Sequence, residues 1–273
     1  MKIVSFNVNS IRMRLHQLEA LIATQAPDVI GLQETKVQDH EFPLEALQAM
    51  GYEAIYIGQK THYGVALLYK NTVKLIAEQK GWKSDDDIAQ KRMIIGDFED
   101  AQGNQVRVVN GYFPQGENRK HETKFPAKQK FYEDLMAYLQ TDCSPEQNLV
   151  VMGDFNISPQ DMDIGIGEAS RKRWLQQGKT SFLPEEREWW ATLTSWGLFD
   201  TYRTIYPEPN GQYSWFDYRS KGFEDEPKRG LRIDTLLATA ALNAKAVASG
   251  ICYDVRGMDK PSDHAPVWTE FKF

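Results

Sequence analysis

The apolar runs in this chain are short, and each stops abruptly at a polar residue. Ile3-Val4-Ser5-Phe6 ends at Asn7, and Val29-Ile30-Gly31-Leu32 ends at Gln33-Glu34. Val106-Arg107-Val108-Val109 ends at Asn110, with Tyr112 two residues on, and Leu149-Val150-Val151-Met152 runs into Gly153-Asp154. Runs of this length bounded by polar residues read as buried strands. Further strands are expected at Val65 to Tyr69, Met93 to Ile95, Ile233 to Ala238 and Ala265 to Phe271. Helical patterns lie near 14–25, at Lys128 to Gln140 and at Glu185 to Trp196. Short buried strands mixed with helices predict an α/β fold, with two packed sheets covered by helices. No glycine/serine linker, low-complexity tract or repeat interrupts the chain, so residues 1–273 are expected to form one domain.

The polar strand ends carry the chemistry, because strand ends in α/β folds face a common edge where sites are assembled. Solvation of a loop explains any one of them. Oxygen ligands and a phenol at four such ends are harder to explain that way. Glu34 follows a buried strand, where a carboxylate is costly unless it is salt-bridged, capping a helix or bound to a cation. In Gly153-Asp154-Phe155-Asn156, strand alternation puts Asp154 and Asn156 on one face and Phe155 on the other. A carboxylate beside an amide can accept a proton from water while keeping its orientation, although an Asx-turn without chemistry also fits. Ser262-Asp263-His264-Ala265-Pro266 sets Asp263 and His264 on opposite sides of an extended segment, and Asp234 is the natural acceptor to orient His264. That pairing would raise the imidazole pKa and favour a cation suited to a phosphate oxygen.

Net charge is −6, whereas nucleic-acid binders are usually basic. Local charge governs a site, however, and positive residues cluster at Arg119, Lys120, Lys124, Lys128 and Lys130, and again at Arg171, Lys172 and Arg173. A carboxylate-lined site also reverses its sign once a divalent cation binds. Cys143 and Cys252 lack disulfide-framework or metal-ligand spacing. The start of the chain does not read as a signal peptide, and no apolar run is long enough to span a bilayer. A reducing cytoplasm is the expected setting.

Five segments in order, Phe6-Asn7-Val8-Asn9, Gly31 to Lys36, Asn110 to Gly116, Gly153 to Asn156 and Ser262 to Pro266, resemble the exonuclease III family of abasic-site endonucleases. That family lies within the endonuclease/exonuclease/phosphatase superfamily, and the likeness covers essentially the whole chain. Lys172 to Leu175, Ser181 to Trp189 and Ser214 to Gly222 narrow the match. The resemblance implies a four-layered α/β sandwich, a Mg²⁺ or Mn²⁺ requirement and a monomer in the bacterial cytoplasm, associated with the nucleoid while it acts. It implies cleavage of double-stranded DNA 5′ to abasic sites, 3′→5′ exonuclease action and 3′-phosphatase or 3′-repair activity. Carried over by position, Glu34 is a metal ligand, with Asn7, Asp263, Asp154, Asn156 and His264 around the same metal region. Asp154 is then the general base, Asn156 its orienting partner, His264 with Asp234 the phosphate-binding pair, and Tyr112 a contact to the phosphate or the departing oxygen. Trp215, Leu231 and Ile233, with Phe216 adjacent, match the walls of an apolar pocket, although Trp215 and Ile233 also suit a core. Arg92, Gln115 and Lys124 are DNA-contact candidates.

Two departures stand out. Asn9 replaces a carboxylate that some relatives carry near the metal, and Phe223 to Arg229 is a longer and more acidic loop than usual. The alternatives are a phosphoesterase acting on inositol phosphates or sphingomyelin, and a catalytically silent DNA-binding module. The first would be helped by a secretion signal or an apolar membrane-binding element. The second requires loss of a core residue, yet Glu34, Asp154, Asn156, Asp263 and His264 are all present.

Overall fold

The computed structural model describes residues 1–273. In chain order the strands are β1 (Lys2–Asn7), β2 (Val29–Gln33), β3 (Tyr52–Ile57), β4 (Val65–Lys70), β5 (Lys74–Lys80) and β6 (Met93–Glu99). They continue as β7 (Gln105–Tyr112), β8 (Leu149–Asp154), β9 (Leu198–Asp200), β10 (Asp234–Thr239), β11 (Ala246–Ile251) and β12 (Val267–Phe271). The helices are α1 (Leu15–Gln25), α2 (Leu44–Ala49), α3 (Lys124–Asp142), α4 (Glu168–Gln177), α5 (Pro184–Ser195), α6 (Thr201–Ile205), α7 (Ala240–Asn243) and α8 (Tyr253–Arg256). No helix is long and apolar enough to cross a membrane.

The strands form two six-stranded sheets, ordered β11-β12-β1-β2-β4-β3 and β5-β6-β7-β8-β10-β9. Each holds one parallel pair at its centre, β1 with β2 and β7 with β8, flanked by antiparallel neighbours. Alternation along the strands sorts side chains into layers. Ile3, Val29, Val108, Val150, Met152 and Leu236 fill the space between the sheets. Val4, Ile30 and Leu32 pack with Leu18, Leu21, Leu47 and Val255 of α1, α2 and α8. Val109, Val151 and Leu237 pack with Phe131, Leu135, Trp190 and Leu193 of α3 and α5. The result is the expected four-layered sandwich, with helices outside both sheets.

The same alternation builds the site. On the face between the sheets, residues turn from apolar to polar toward the ends of the parallel pairs. β1 runs Ile3, Ser5, Asn7; β7 runs Val106, Val108, Asn110, Tyr112; and β8 runs Val150, Met152, Asp154. Directly beneath the site, Asn110 Nδ2 crosses to the other sheet and donates to the carbonyls of Leu32 and Ala66, 3.0 Å each. Its Oδ1 accepts from Gln33 Nε2 at 2.7 Å. Gly31 permits this approach, since a Cβ there would sit 2.8 Å from Asn110 Oδ1 and 2.3 Å from Met152 Cε.

β3, β5, β9 and β11 carry no signal in the sequence reading. β3, β5, β9 and β11 are the sheet edges, and β5, reading Lys-Leu-Ile-Ala-Glu-Gln-Lys, has no fully buried position. An edge strand lacks the apolar run that marks a strand buried on both faces. α3 starts a turn earlier than expected, at Lys124.

Candidate active site

Register places the first carboxylate pair. Asp234 opens β10 directly opposite Asp154, the last residue of β8. Glu34 arrives from the other sheet, just past β2, with φ at 52°, a left-handed conformation uncommon outside glycine and asparagine. Asn7 Nδ2 lies between them, donating to Glu34 Oε1 at 2.8 Å and to Asp154 Oδ2 at 3.0 Å. His264 Nδ1 meets Asp234 Oδ2 at 2.9 Å, and its Nε2 lies 3.7 Å from Asp154 Oδ2. Ligand atoms of Glu34, Asp154 and His264 all fall within 4.8 Å of one another.

Burial disfavours charge on His264, but Asp234 and Asp154 outweigh it and lift the imidazole to about 10. Burial also raises the Asp154 carboxyl to about 7, against the pull of His264 and with a push from Asp234 and Glu34. Burial, then Glu34 and Asp154, hold the Tyr112 phenol well above its usual value, so it stays a neutral donor. In this arrangement His264 is a cation paired with carboxylates, and its ring nitrogen stands in the same cluster of ligand atoms as Glu34 and Asp154.

Other expected residues sit differently. Asn7 turns its amide nitrogen toward the carboxylates, while its Oδ1 accepts from Asn9 N at 3.0 Å. Asp263 lies outside the group that could share an ion. Its Oδ1 accepts from Asn9 Nδ2 at 3.0 Å and its Oδ2 from Trp215 Nε1 at 3.1 Å. The extended geometry expected through Asn156 ends at Asp154. Asn156 adopts φ 53°, its N–H donates to Asp154 Oδ1 at 3.0 Å, and its Nδ2 donates to the Phe113 carbonyl at 2.9 Å. An Asx-type turn and a held carboxylate are thus the same feature.

Arg92, Tyr112, Gln115 and Lys124 line one groove of about 430 Å³ beside the site. The Arg92 guanidinium lies over the Tyr63 ring at 4.3 Å and the Tyr112 ring at 4.6 Å. Leu231 and Ile233 are buried with Phe182 in a small apolar cluster edged by Trp215 and Trp174. Phe216 turns away from it, fully buried against Phe223 and Tyr253. The basic clusters are largely paired: Arg119 with Glu185, Lys124 with Glu117, Lys130 with Asp134, and Arg171 with Asp161 and Glu168. Lys128 is fully buried against Glu186 and donates to the Asn156 carbonyl at 2.8 Å, so it supports the site from below and cannot meet a ligand.

The profile of the Endonuclease/Exonuclease/phosphatase family matches residues 4–264. The chain belongs to that family. It is 55% identical over 272 residues to exodeoxyribonuclease III of Haemophilus influenzae, covering the whole of both chains. Among solved structures it is similar to a 3′-5′ exonuclease from Neisseria meningitidis, at 35% identity and a TM-score of 0.87 over both full chains. It is also similar to an AP endonuclease from Archaeoglobus fulgidus, at 30% identity and a TM-score of 0.89 over both full chains.

Three further residues shape the site in ways that the sequence alone does not specify. Lys36 Nζ pairs with Glu34 Oε2 at 3.0 Å and donates to Asn9 Oδ1 at 2.6 Å. Its place two residues beyond Glu34 was the available signal. Asn110 was visible as a polar strand end, though not as a bridge between sheets. Tyr63, under Arg92, left no local trace, because its role depends on a contact distant in sequence.

Proposed function

We propose that this chain is a divalent-metal-dependent DNA phosphodiesterase: a 3′→5′ exonuclease on double-stranded DNA, an endonuclease cutting 5′ to abasic sites, and a 3′-phosphatase. The observation that carries it is the buried His264–Asp234 pair set against Asp154 and Glu34 at the ends of the two parallel pairs. Four carboxylates, Glu34, Asp154, Asp234 and Asp263, have ion-pair partners only in Lys36 and His264, and burial, with a push from Asp234 and Glu34, lifts the Asp154 carboxyl. An oxygen-rich site short of positive charge suits Mg²⁺ or Mn²⁺, with Glu34 and Asp154 as the residues to hold it. Glu34 and Asp154 would hold such an ion where its charge could offset that of the phosphate oxygens and of the leaving group.

The side chains divide the remaining work. Asp154, held at Oδ1 by the Asn156 N–H, takes the proton of the attacking water. The His264 imidazolium, oriented by Asp234, binds a phosphate oxygen. Tyr112 donates from its neutral phenol to the phosphate or the departing 3′-oxygen. An abasic nucleotide costs less to flip than one stacked through its base, and the apolar edge at Trp215 favours a sugar without a base. The products are a 3′-hydroxyl and a 5′-phosphate. All these groups come from one chain, which supports action as a one-domain monomer; DNA as substrate points to the bacterial cytoplasm.

The test is a labelled duplex with one abasic site, incubated with Mg²⁺ and then with EDTA. Incision 5′ to the site is expected with the metal and none after chelation; no incision at any divalent-metal concentration refutes the reading. Asp154→Asn is expected to keep DNA binding and lose about 10²–10³ in turnover, as for removal of one transition-state partner. Equal loss of binding would make Asp154 structural.

A further inference from the structure

The geometry points to Trp215 as a positioning residue that ties the apolar pocket to the metal carboxylates through a chain of side-chain hydrogen bonds. This rests on the metal site proposed above. The Trp215 ring edges the cluster of Phe182, Leu231 and Ile233, and lines a cleft with Ile166 and Trp174. Its indole Nε1 faces the other way and donates to Asp263 Oδ2 at 3.1 Å. Asp263 Oδ1 accepts from Asn9 Nδ2 at 3.0 Å, Asn9 Oδ1 accepts from Lys36 Nζ at 2.6 Å, and Lys36 pairs with Glu34 Oε2 at 3.0 Å. Asn7 then joins Glu34 to Asp154. An unbroken series of polar contacts therefore runs from the pocket wall to the carboxylates.

The backbone shows that these links are held in place. Asn9, Glu34 and Lys36 all have left-handed φ values, 43°, 52° and 56°. Such conformations cost energy and persist where the surroundings over-determine them. The two loops carrying them are laced together by Ser10 N to the Glu34 carbonyl at 2.8 Å and Ile11 N to the Thr35 carbonyl at 3.1 Å. Partners beyond the ligands fix the orientation of the ligands themselves, and losing one typically costs about 10–100-fold in metal affinity. An indole that a bound sugar pushes or seats would pass that shift to Asp263, and through Asn9 and Lys36 to Glu34. Pocket occupancy and carboxylate placement are then one coupled event.

Trp215→Phe separates the two faces of the side chain, keeping an apolar wall and deleting the donor. Mn²⁺ titration followed by the electron paramagnetic resonance of the free ion is expected to show affinity about 10-fold weaker than wild type. Asn9→Gly, which tolerates φ 43° without strain, removes the middle link and is expected to weaken Mn²⁺ binding similarly. The double variant is expected to be no weaker than the weaker single, because both break one chain. Unchanged Mn²⁺ affinity in Trp215→Phe, or a fully additive double variant, overturns the relay. A raised KM for abasic DNA with Mn²⁺ affinity intact also overturns it, leaving Trp215 as wall alone. Wild-type protein that fails to bind Mn²⁺ would instead overturn the metal site on which the relay depends.

Discussion

His264 keeps its proton because two carboxylates outweigh the cost of burying it. Asp234 is the stronger influence, in contact at 2.9 Å and 3.1 Å through its two oxygens, while Asp154 stands 3.7 Å from the other ring nitrogen. A pKa raised in the folded state gives a contribution that is complete below about 6.5 and lost as pH rises through about 10. Activity that needs the imidazolium follows the same direction. Asp234→Asn removes the larger attraction and leaves the desolvation, so the alkaline fall in turnover is expected to move to lower pH. The pH dependence of kcat for abasic incision checks this, together with NMR titration of the His264 ring. An alkaline limb in the same place in both proteins would show that Asp234 orients the ring without setting its charge.

At the scale of elements, β10 is anchored where it begins. Arg232, fully buried two residues before Asp234, donates to Asp163 Oδ1 at 2.7 Å and Asp200 Oδ2 at 2.6 Å, and Arg203 adds a 2.6 Å contact to the same Asp163 oxygen. Burial pushes the Asp163 carboxyl up, yet Arg232 and Arg203 prevail and hold it below 3.8. Its contribution is therefore present above 3.8 and lost as pH falls through the lower folded value. Asp163→Asn leaves Arg203 without a carboxylate and Arg232 with Asp200 alone, and is expected to cost about 3–5 kcal/mol at neutral pH, with a shallower loss of stability in acid than wild type. Urea denaturation from pH 3 to pH 7 measures both, and parallel curves would remove Asp163 from the acid response. This network was not legible in the sequence, where Asp163, Asp200 and Arg232 are far apart and each reads as an ordinary charge. The central strands were legible, because burial on both faces writes a continuous apolar run. So were Asn7, Glu34, Tyr112 and Asp154, because a polar residue closing such a run has few cheap explanations. The edge strands were hidden by their solvated faces, and so was the pairing of the basic clusters, because a partner such as Glu186 for Lys128 is distant along the chain.

At the scale of the molecule, the site is divided between two sheets that must not slide. The first supplies Asn7 and Glu34, the second Tyr112, Asp154 and Asp234, and His264 arrives on the segment leading into β12. Apolar packing between the sheets is non-directional and resists sliding weakly compared with a bond of fixed geometry. Asn110 is such a bond, spanning the sheets immediately below the carboxylates with three hydrogen bonds. Asn110→Ala removes the three bridging hydrogen bonds, leaves the Gln33 amide with only its longer contacts to Ser5 and Gly31, and opens a small void, a loss of about 1–3 kcal/mol. For a chain of this size that lowers Tm by about 2–4 °C per kcal/mol. If the bridge also sets the spacing of Glu34 and Asp154, turnover is expected to fall at temperatures well below melting, and added Mg²⁺ should recover part of it by drawing the two carboxylates together. Calorimetry beside incision kinetics at 25 °C separates the effects. A lowered Tm with undiminished turnover would assign Asn110 to stability alone and leave the alignment of the sheets to packing.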